Sequence, residues 1–142
     1  MTSAIERSAV SDPTKPPFGT VVGFDLTVQD ADRVRDFYAE VIGWSPMPLD
    51  MGGYSDYFMM SPAGTPVAGV CHARGGNADL PPQWLSYVCV DDLDASIKRV
   101  VELGGEVVAG PKGTAPEARF VVIRDPAGAV LALREPDRPQ DG

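Results

Sequence analysis

His72 is the only histidine in the 142-residue chain, and Arg74 follows two residues later. An imidazole changes charge near neutrality and serves as general acid or base. A guanidinium two residues further along an extended strand shares its face and can clamp an anion. Asp25 is the other candidate for chemistry. It stands in VVGFDLTV (residues 21–28), where Val22, Phe24, Leu26 and Val28 form one face and Gly23, Asp25 and Thr27 the other. A carboxylate on such a strand must find a partner or hold its proton more tightly. Arg74, Arg119 and Arg134 are the cations that would pair with it; otherwise Asp25 serves substrate or catalysis. Around these, Thr27, Tyr57, Met59, Arg74, Tyr87 and Arg134 are the expected ligand-binding residues. The segment from Trp44 to Met60 is rich in Met and aromatic residues, a composition that suits an adaptable apolar pocket or a packed core. Cys71 and Cys89 form no C-x-x-C pair and read as buried thiols of a reducing cytosol. No nucleophile elbow, P-loop or dinucleotide fingerprint is present.

The charge balance removes whole classes of partner. At a formal −8, the surface repels nucleic-acid backbones and anionic membranes. No apolar run approaches the ~20 residues of a membrane span. The opening MTSAIERSAVSDPTKPP lacks the apolar stretch of a secretory signal, so a cytoplasmic location is expected. Residues 1–17 and 137–142 read as solvated, flexible tails.

An internal repeat positions the candidate residues. SPAGTPVAGV (61–70) and DPAGAVLALREP (125–136) share a PAG turn, and VQDADRVRDFYAEVIG (28–43) matches VDDLDASIKRVVELGG (90–105) at a shift of 62. Both longer segments carry apolar stripes at helical spacing, with Asp30 and Asp92 as N-caps and Gly43 and Gly105 as stops. A strand precedes each helix and three follow. The fold class is therefore α+β: two tandem βαβββ modules, residues 18–71 and 83–136, joined by a linker at 72–82. They are expected to form one curved mixed sheet around a cleft, with the helices outside. Strand parity puts Gly23, Asp25, Thr27, Leu85, Tyr87 and Cys89 in the cleft and turns Trp84 onto a helix. Ala68, Val70, His72 and Arg74 share a parity, which would aim His72 and Arg74 at the cleft mouth.

The paired modules, FYAEVIGW at the end of the first helix and DPAG before the last strand resemble the vicinal oxygen chelate superfamily. That group contains glyoxalase I, extradiol dioxygenases, and fosfomycin- and bleomycin-resistance proteins. The resemblance covers Phe18 to Pro136. It implies that each module of a metal-using member gives one ligand from its first strand and one from its last. Here those positions fall at Gly23, Ala68, Leu85 and Ala132, none of which carries a side-chain donor for a divalent ion. No metal and no other cofactor is therefore expected. The reading this favours is a metal-free protein of the glyoxalase/bleomycin-resistance type, holding a small, partly aromatic ligand in the cleft. The alternative is a metal-independent lyase or isomerase that moves a proton with His72 or Asp25. A divalent-metal lyase or dioxygenase stands third, opposed by the four substituted positions. A homodimer is expected, because relatives pair modules across subunits and open sheet edges need cover.

Overall fold

The computed structural model describes residues 17–113 and 118–136. The expected tails lie outside the described residues, Pro17 excepted. Along the chain run β1 (Val21–Val28), α1 (Ala31–Ile42), β2 (Ser45–Asp50), β3 (Ser55–Met60), β4 (Pro66–His72), β5 (Leu85–Cys89), α2 (Leu93–Glu102), β6 (Glu106–Lys112), β7 (Phe120–Arg124) and β8 (Val130–Arg134). The order is βαβββ twice, and the strand pairing is mixed. The fold is α+β, as the repeat requires. No helix among the described residues is long and apolar enough to cross a membrane.

Both helices begin as their sequences dictate. The Asp30 carboxylate accepts the Arg33 N–H at 3.4 Å and the Asp92 carboxylate accepts the Ala95 N–H at 3.0 Å, each satisfying a donor that the first helical turn leaves open. Gly43 closes α1 in the left-handed region at φ +88. The second stop falls one residue before the expected Gly105: Gly104 takes the left-handed conformation, at φ +91. Gly105 is needed for a different reason, since a Cβ there would lie 2.8 Å from the Arg124 carbonyl oxygen.

The chain divides into two compact units, Gly23–Ser86 and a second formed by the residues up to Val22 with those from Tyr87 onward. In the first, the strand order is β2-β3-β4-β1, antiparallel except for the parallel β4–β1 pair. Ala31, Tyr57, Met59, Ala68 and Val70 are buried together, with Val28, Val34, Tyr38, Trp44 and Trp84 packed around them. This is the face that α1 covers. Trp84 stacks flat on Phe24, with ring centroids 5.1 Å apart, and donates its indole N–H to the Tyr38 hydroxyl at 3.0 Å. The expected packing of Trp84 on a helix holds.

In the second unit the order is β5-β8-β7-β6, again with one parallel pair, β5–β8. Leu93, Val121, Ile123 and Leu133 make its core, and Val88, Ile97 and Val100 pack on it. The chain leading into β1 belongs here. Gly19 donates its N–H to the Cys89 carbonyl at 2.7 Å, and the Cys89 N–H donates to the Thr20 carbonyl at 2.9 Å.

One irregularity reverses an expectation. β3 and β4 pair as Met60↔Pro66 and then Met59↔Ala68, leaving Val67 as a bulge residue. A bulge inserts one residue and shifts the strand's alternation by one. Beyond it, Asp25 is paired with Gly69, while in the other unit Tyr87 is paired with Ala132. Gly69, rather than Ala68, is thus the counterpart of Ala132. Ala68 and Val70 lie on the α1 face, and His72, two residues further, is carried there with them.

Candidate functional site

The face of the first unit turned away from α1 carries two rows of side chains. Strand register joins Met47, Phe58, Gly69 and Asp25 in one. It joins Leu49 with Asp56 and Cys71 with Thr27 in the next, and one further step of the β3–β4 ladder brings Asp56 beside Cys71. Met47, Leu49 and Phe58 are 44%, 43% and 42% exposed, an open apolar surface. Gly69 makes room for the acid beside it, since a Cβ there would lie 2.4 Å from Asp25 Oδ1. The carboxylate therefore leans along the row over the glycine, toward Phe58. Thr27 is buried and Asp25 half-buried.

Burial pushes the Cys71 thiol up to about 12, and the charges of Asp25 and Asp56, with a hydrogen bond to Asp56, add to the effect. Burial also raises Cys89, against a smaller opposing pull from Arg134. Both cysteines are free. Alkylation of Cys71 at pH 8 is expected to run ~10³-fold slower than that of a free thiol, because thiolate is the reactive form. Mass spectrometry of the native protein against the urea-unfolded protein reads this directly. Equal rates in the two states would contradict the assigned burial.

A second constellation lies at the corner where β4 ends, where the Asp56 carboxylate also reaches residues of the α1 side. The His72 backbone N–H donates to Asp56 Oδ1 at 2.8 Å, and His72 Nδ1 lies 3.3 Å from the same oxygen. His72 Nε2 is 3.6 Å from Asp32 Oδ1. The Tyr57 hydroxyl donates to that Asp32 oxygen at 2.6 Å, and Arg35 approaches it at 3.7 Å. The Tyr57 hydrogen bond holds Asp32 below the usual carboxylate range; His72 and Arg35 assist and desolvation opposes. The same bond, together with burial, raises Tyr57. Tyr54 meets the His72 ring edge-on at 5.4 Å, and the Arg74 guanidinium lies over the Tyr54 ring at 3.9 Å. Asp56 is the organising group: a buried carboxylate that fixes the imidazole through backbone and ring while Nε2 faces an exposed acid. Such an arrangement can pass a proton between the ring and solvent.

These positions correct several sequence expectations. His72 and Asp25 do not share a face, so they cannot act as one acid–base pair across β1 and β4. Tyr57 and Met59 fill the α1-side core, Met59 completely, because the residues they pair with, Val70 and Ala68, are themselves turned to the helix. Arg74 is exposed and stacked on Tyr54. Thr27 and Asp25 do share a surface, together with Gly23 by strand alternation. In the second unit, Tyr87 is buried, its ring edge-on to Phe120 with centroids 5.6 Å apart, and Arg134 lies near the Cys89 thiol. Arg119 pairs with Asp94 at 3.0 Å and with Glu135 at 3.5 Å.

The residues do not fit the metal of the metal-using relatives. Gly23, Gly69, Leu85 and Ala132 offer no side-chain oxygen, nitrogen or sulfur, and replacing Ala68 by Gly69 changes nothing in that donor set. Among the described residues, no group of three His, Cys, Asp or Glu side chains is placed to hold an ion. Sequence reasoning missed Asp56, Asp32, Gly69 and Phe58. Asp56 had a signal: like Asp25, it is a lone acid within an apolar strand, YSDYFMM.

Known proteins resemble this chain. CFP32 of Mycobacterium bovis, which carries a provisional glyoxylase name, is 33% identical over 125 residues, covering 84% of this chain and 47% of that protein. The anthracycline biosynthesis protein DnrV of Streptomyces peucetius is 33% identical over 127 residues, covering 81% and 46%. The chain thus spans about half the length of the curated relatives it matches. Among solved structures, the Mn(II)-bound glyoxalase from Novosphingobium aromaticivorans superposes with a TM-score of 0.50 at 15% identity, over 88% of this chain and 42% of that one. A hypothetical protein from Bacillus halodurans gives 0.51 at 14%, over 87% and 98%. At such identities the superpositions speak for the fold alone. Residues 21–133 match the glyoxalase-like domain family, and with the doubled βαβββ plan this makes the chain a member of that family within the vicinal oxygen chelate superfamily.

Proposed function

We propose that the chain binds a small, flat, partly aromatic molecule on the strand face of Gly23–Ser86 turned away from α1, and that it does so without a metal ion. The observation that carries this is the row Met47–Phe58–Gly69–Asp25: open apolar side chains leading to one carboxylate held in place over a glycine. Thioether and phenyl groups adapt to a flat ligand, and one placed polar group gives it orientation. The anthracycline-biosynthesis names of DnrV and DauV support a ligand of the anthracycline kind. The absence of donors at the four metal positions supports metal-free binding. The protein acts as a homodimer in the reducing cytoplasm in this reading, with a small molecule as its ligand and neither nucleic acid nor membrane as a partner.

Titration with an anthracycline, followed by amide NMR shifts, tests the site. Saturable shifts at Phe58, Gly69 and Asp25 are expected. Gly69→Ala, which displaces the carboxylate, should weaken binding by ~2–10-fold, the scale of one hydrogen bond. Shifts confined to other residues would overturn the assignment. Elemental analysis of dialysed protein should find no stoichiometric Zn, Ni, Fe or Mn; one retained ion per chain would refute the metal-free reading. A monomer by light scattering at high micromolar concentration would refute the dimer.

The Asp56–His72 contact favours a second reading, a metal-independent proton transfer by His72. Under it, His72→Ala lowers turnover of the identified ligand by ~10²–10⁴-fold. Unchanged turnover would leave His72 as a structural link between β4 and α1.

A further inference from the structure

The two repeats treat the space beside their helices differently. In Gly23–Ser86, Tyr38 packs against Trp44 and Trp84, with ring centroids 6.2 and 5.2 Å apart, and Phe37 meets Tyr38 edge-on at 5.0 Å. The shift of 62 puts Arg99 at the place of Phe37, Val100 at that of Tyr38 and Glu106 at that of Trp44. The second unit therefore lacks all three rings. Between its α2 and the β7–β8 turn lies an open pocket of about 500 Å³, lined by Val100, Leu103, Ile123 and Pro126. That volume falls within the range of ligand sites, ~300–1,000 Å³.

The rim gives the charge of an occupant. Asp91, Asp92 and Asp125 border the cavity with Arg99 and Arg124. Both guanidiniums are drawn to carboxylates of their own, Arg99 to Glu102 at 2.7 Å and Arg124 to Glu106. Asp92 and Asp125 in turn accept backbone N–H groups, from Ala95 and from Ala127 and Ala129, and three acids against two cations leave the rim one charge negative. We infer that this cavity is a second ligand site, taking one aromatic ring of phenol or indole size that carries a protonated amine. The ring takes the place that aromatic side chains hold in the other repeat, and the amine meets the acidic rim. The site lies within the second unit and on its helix side, so it stands or falls separately from the strand-face site of Gly23–Ser86.

Amide NMR titrations with tryptamine, indole-3-acetate and cyclohexylmethylamine test it. Tryptamine should give saturable shifts at Ala95, Ser96, Val100 and Ile123, and should bind about tenfold tighter than either of the others. Val100→Tyr, which restores a ring in the cavity, should abolish these shifts. Asp91→Asn, which removes one rim charge at an exposed position, should weaken tryptamine about fivefold even if the larger substitution fails to fold. The inference is overturned if tryptamine fails to saturate by ~10 mM or shifts only other amides. It is equally overturned if indole-3-acetate binds as well as tryptamine, or if Asp91→Asn binds tryptamine as the wild type does.

Discussion

Met59→Ala is expected to lower the free energy of unfolding by about 2–5 kcal/mol, the range for truncating a fully buried side chain that leaves a cavity. Met59 has no exposed surface and is enclosed by Ala31, Tyr57, Ala68 and Val70 beneath α1. A loss of that size is a large share of the ~5–15 kcal/mol that holds a typical domain folded. Ligand affinity, measured well below the unfolding midpoint, should stay within about twofold of wild type, because the binding face proposed above lies on the other side of the sheet. Urea unfolding followed by far-UV circular dichroism gives the first quantity and a ligand titration the second. A variant that keeps its stability but loses affinity would return Met59 to the ligand site, where its sequence context first suggested it.

Asp56→Ala should cost about 2–4 kcal/mol, since it strips a buried carboxylate from the donors gathered around it. Those donors are the His72 backbone N–H, the His72 ring and the Cys71 thiol. The thiol supplies an independent readout. Its pKa stands at about 12, above the ordinary value near 9. A raised pKa means that Cys71 contributes stability fully below pH 9, and that this contribution fades as pH climbs toward 12. Removing Asp56 takes away one charge and one hydrogen bond that favour the protonated form, so the thiol pKa must fall. Alkylation of Cys71 at pH 9 should accelerate, and the alkaline loss of stability should still begin near pH 9 but end at a lower pH and be smaller. Asp56→Asn, which keeps an acceptor but not the charge, should land between the two in thiol reactivity. Unchanged stability and unchanged labelling in Asp56→Ala would show that the carboxylate anchors nothing.

The repeat made the architecture legible before any coordinates. A 62-residue shift aligned caps and stripes, and both helices begin where Asp30 and Asp92 said they would, while the second stop moved from Gly105 to Gly104. The face assignments on β1 were legible too, because VVGFDLTV alternates without interruption. β4 was different. Its parity from Ala68 through His72 was correct internally, yet the face was wrong, because nothing in GTPVAGVCH announces that Val67 is looped out of register. Period-2 reasoning carries phase from one residue to the next and loses it at a bulge. The Asp56–His72–Asp32 contacts were invisible for a related reason. They join three elements at a corner, where side-chain reach rather than strand alternation decides what meets. Asp56 and Asp25 could be singled out as acids in apolar strands, whereas Asp32 looks like any other charge in a first helical turn.

Val67 carries an implication about tolerance to change in length. Pro66 and its counterpart Val130 are 64 residues apart, whereas Val70 and its counterpart Leu133 are 63 apart; the bulge absorbs that difference. Deleting one residue from a strand ordinarily turns every later side chain over. At Val67 the deletion would keep Met60 opposite Pro66 and Met59 opposite Ala68, and all partners downstream would stay where they are. The bulge is in this sense a slack position, where the two halves of an old duplication have drifted apart by one codon. A codon lost there would be a milder event than many point substitutions nearby, and β4 would become as straight as β8.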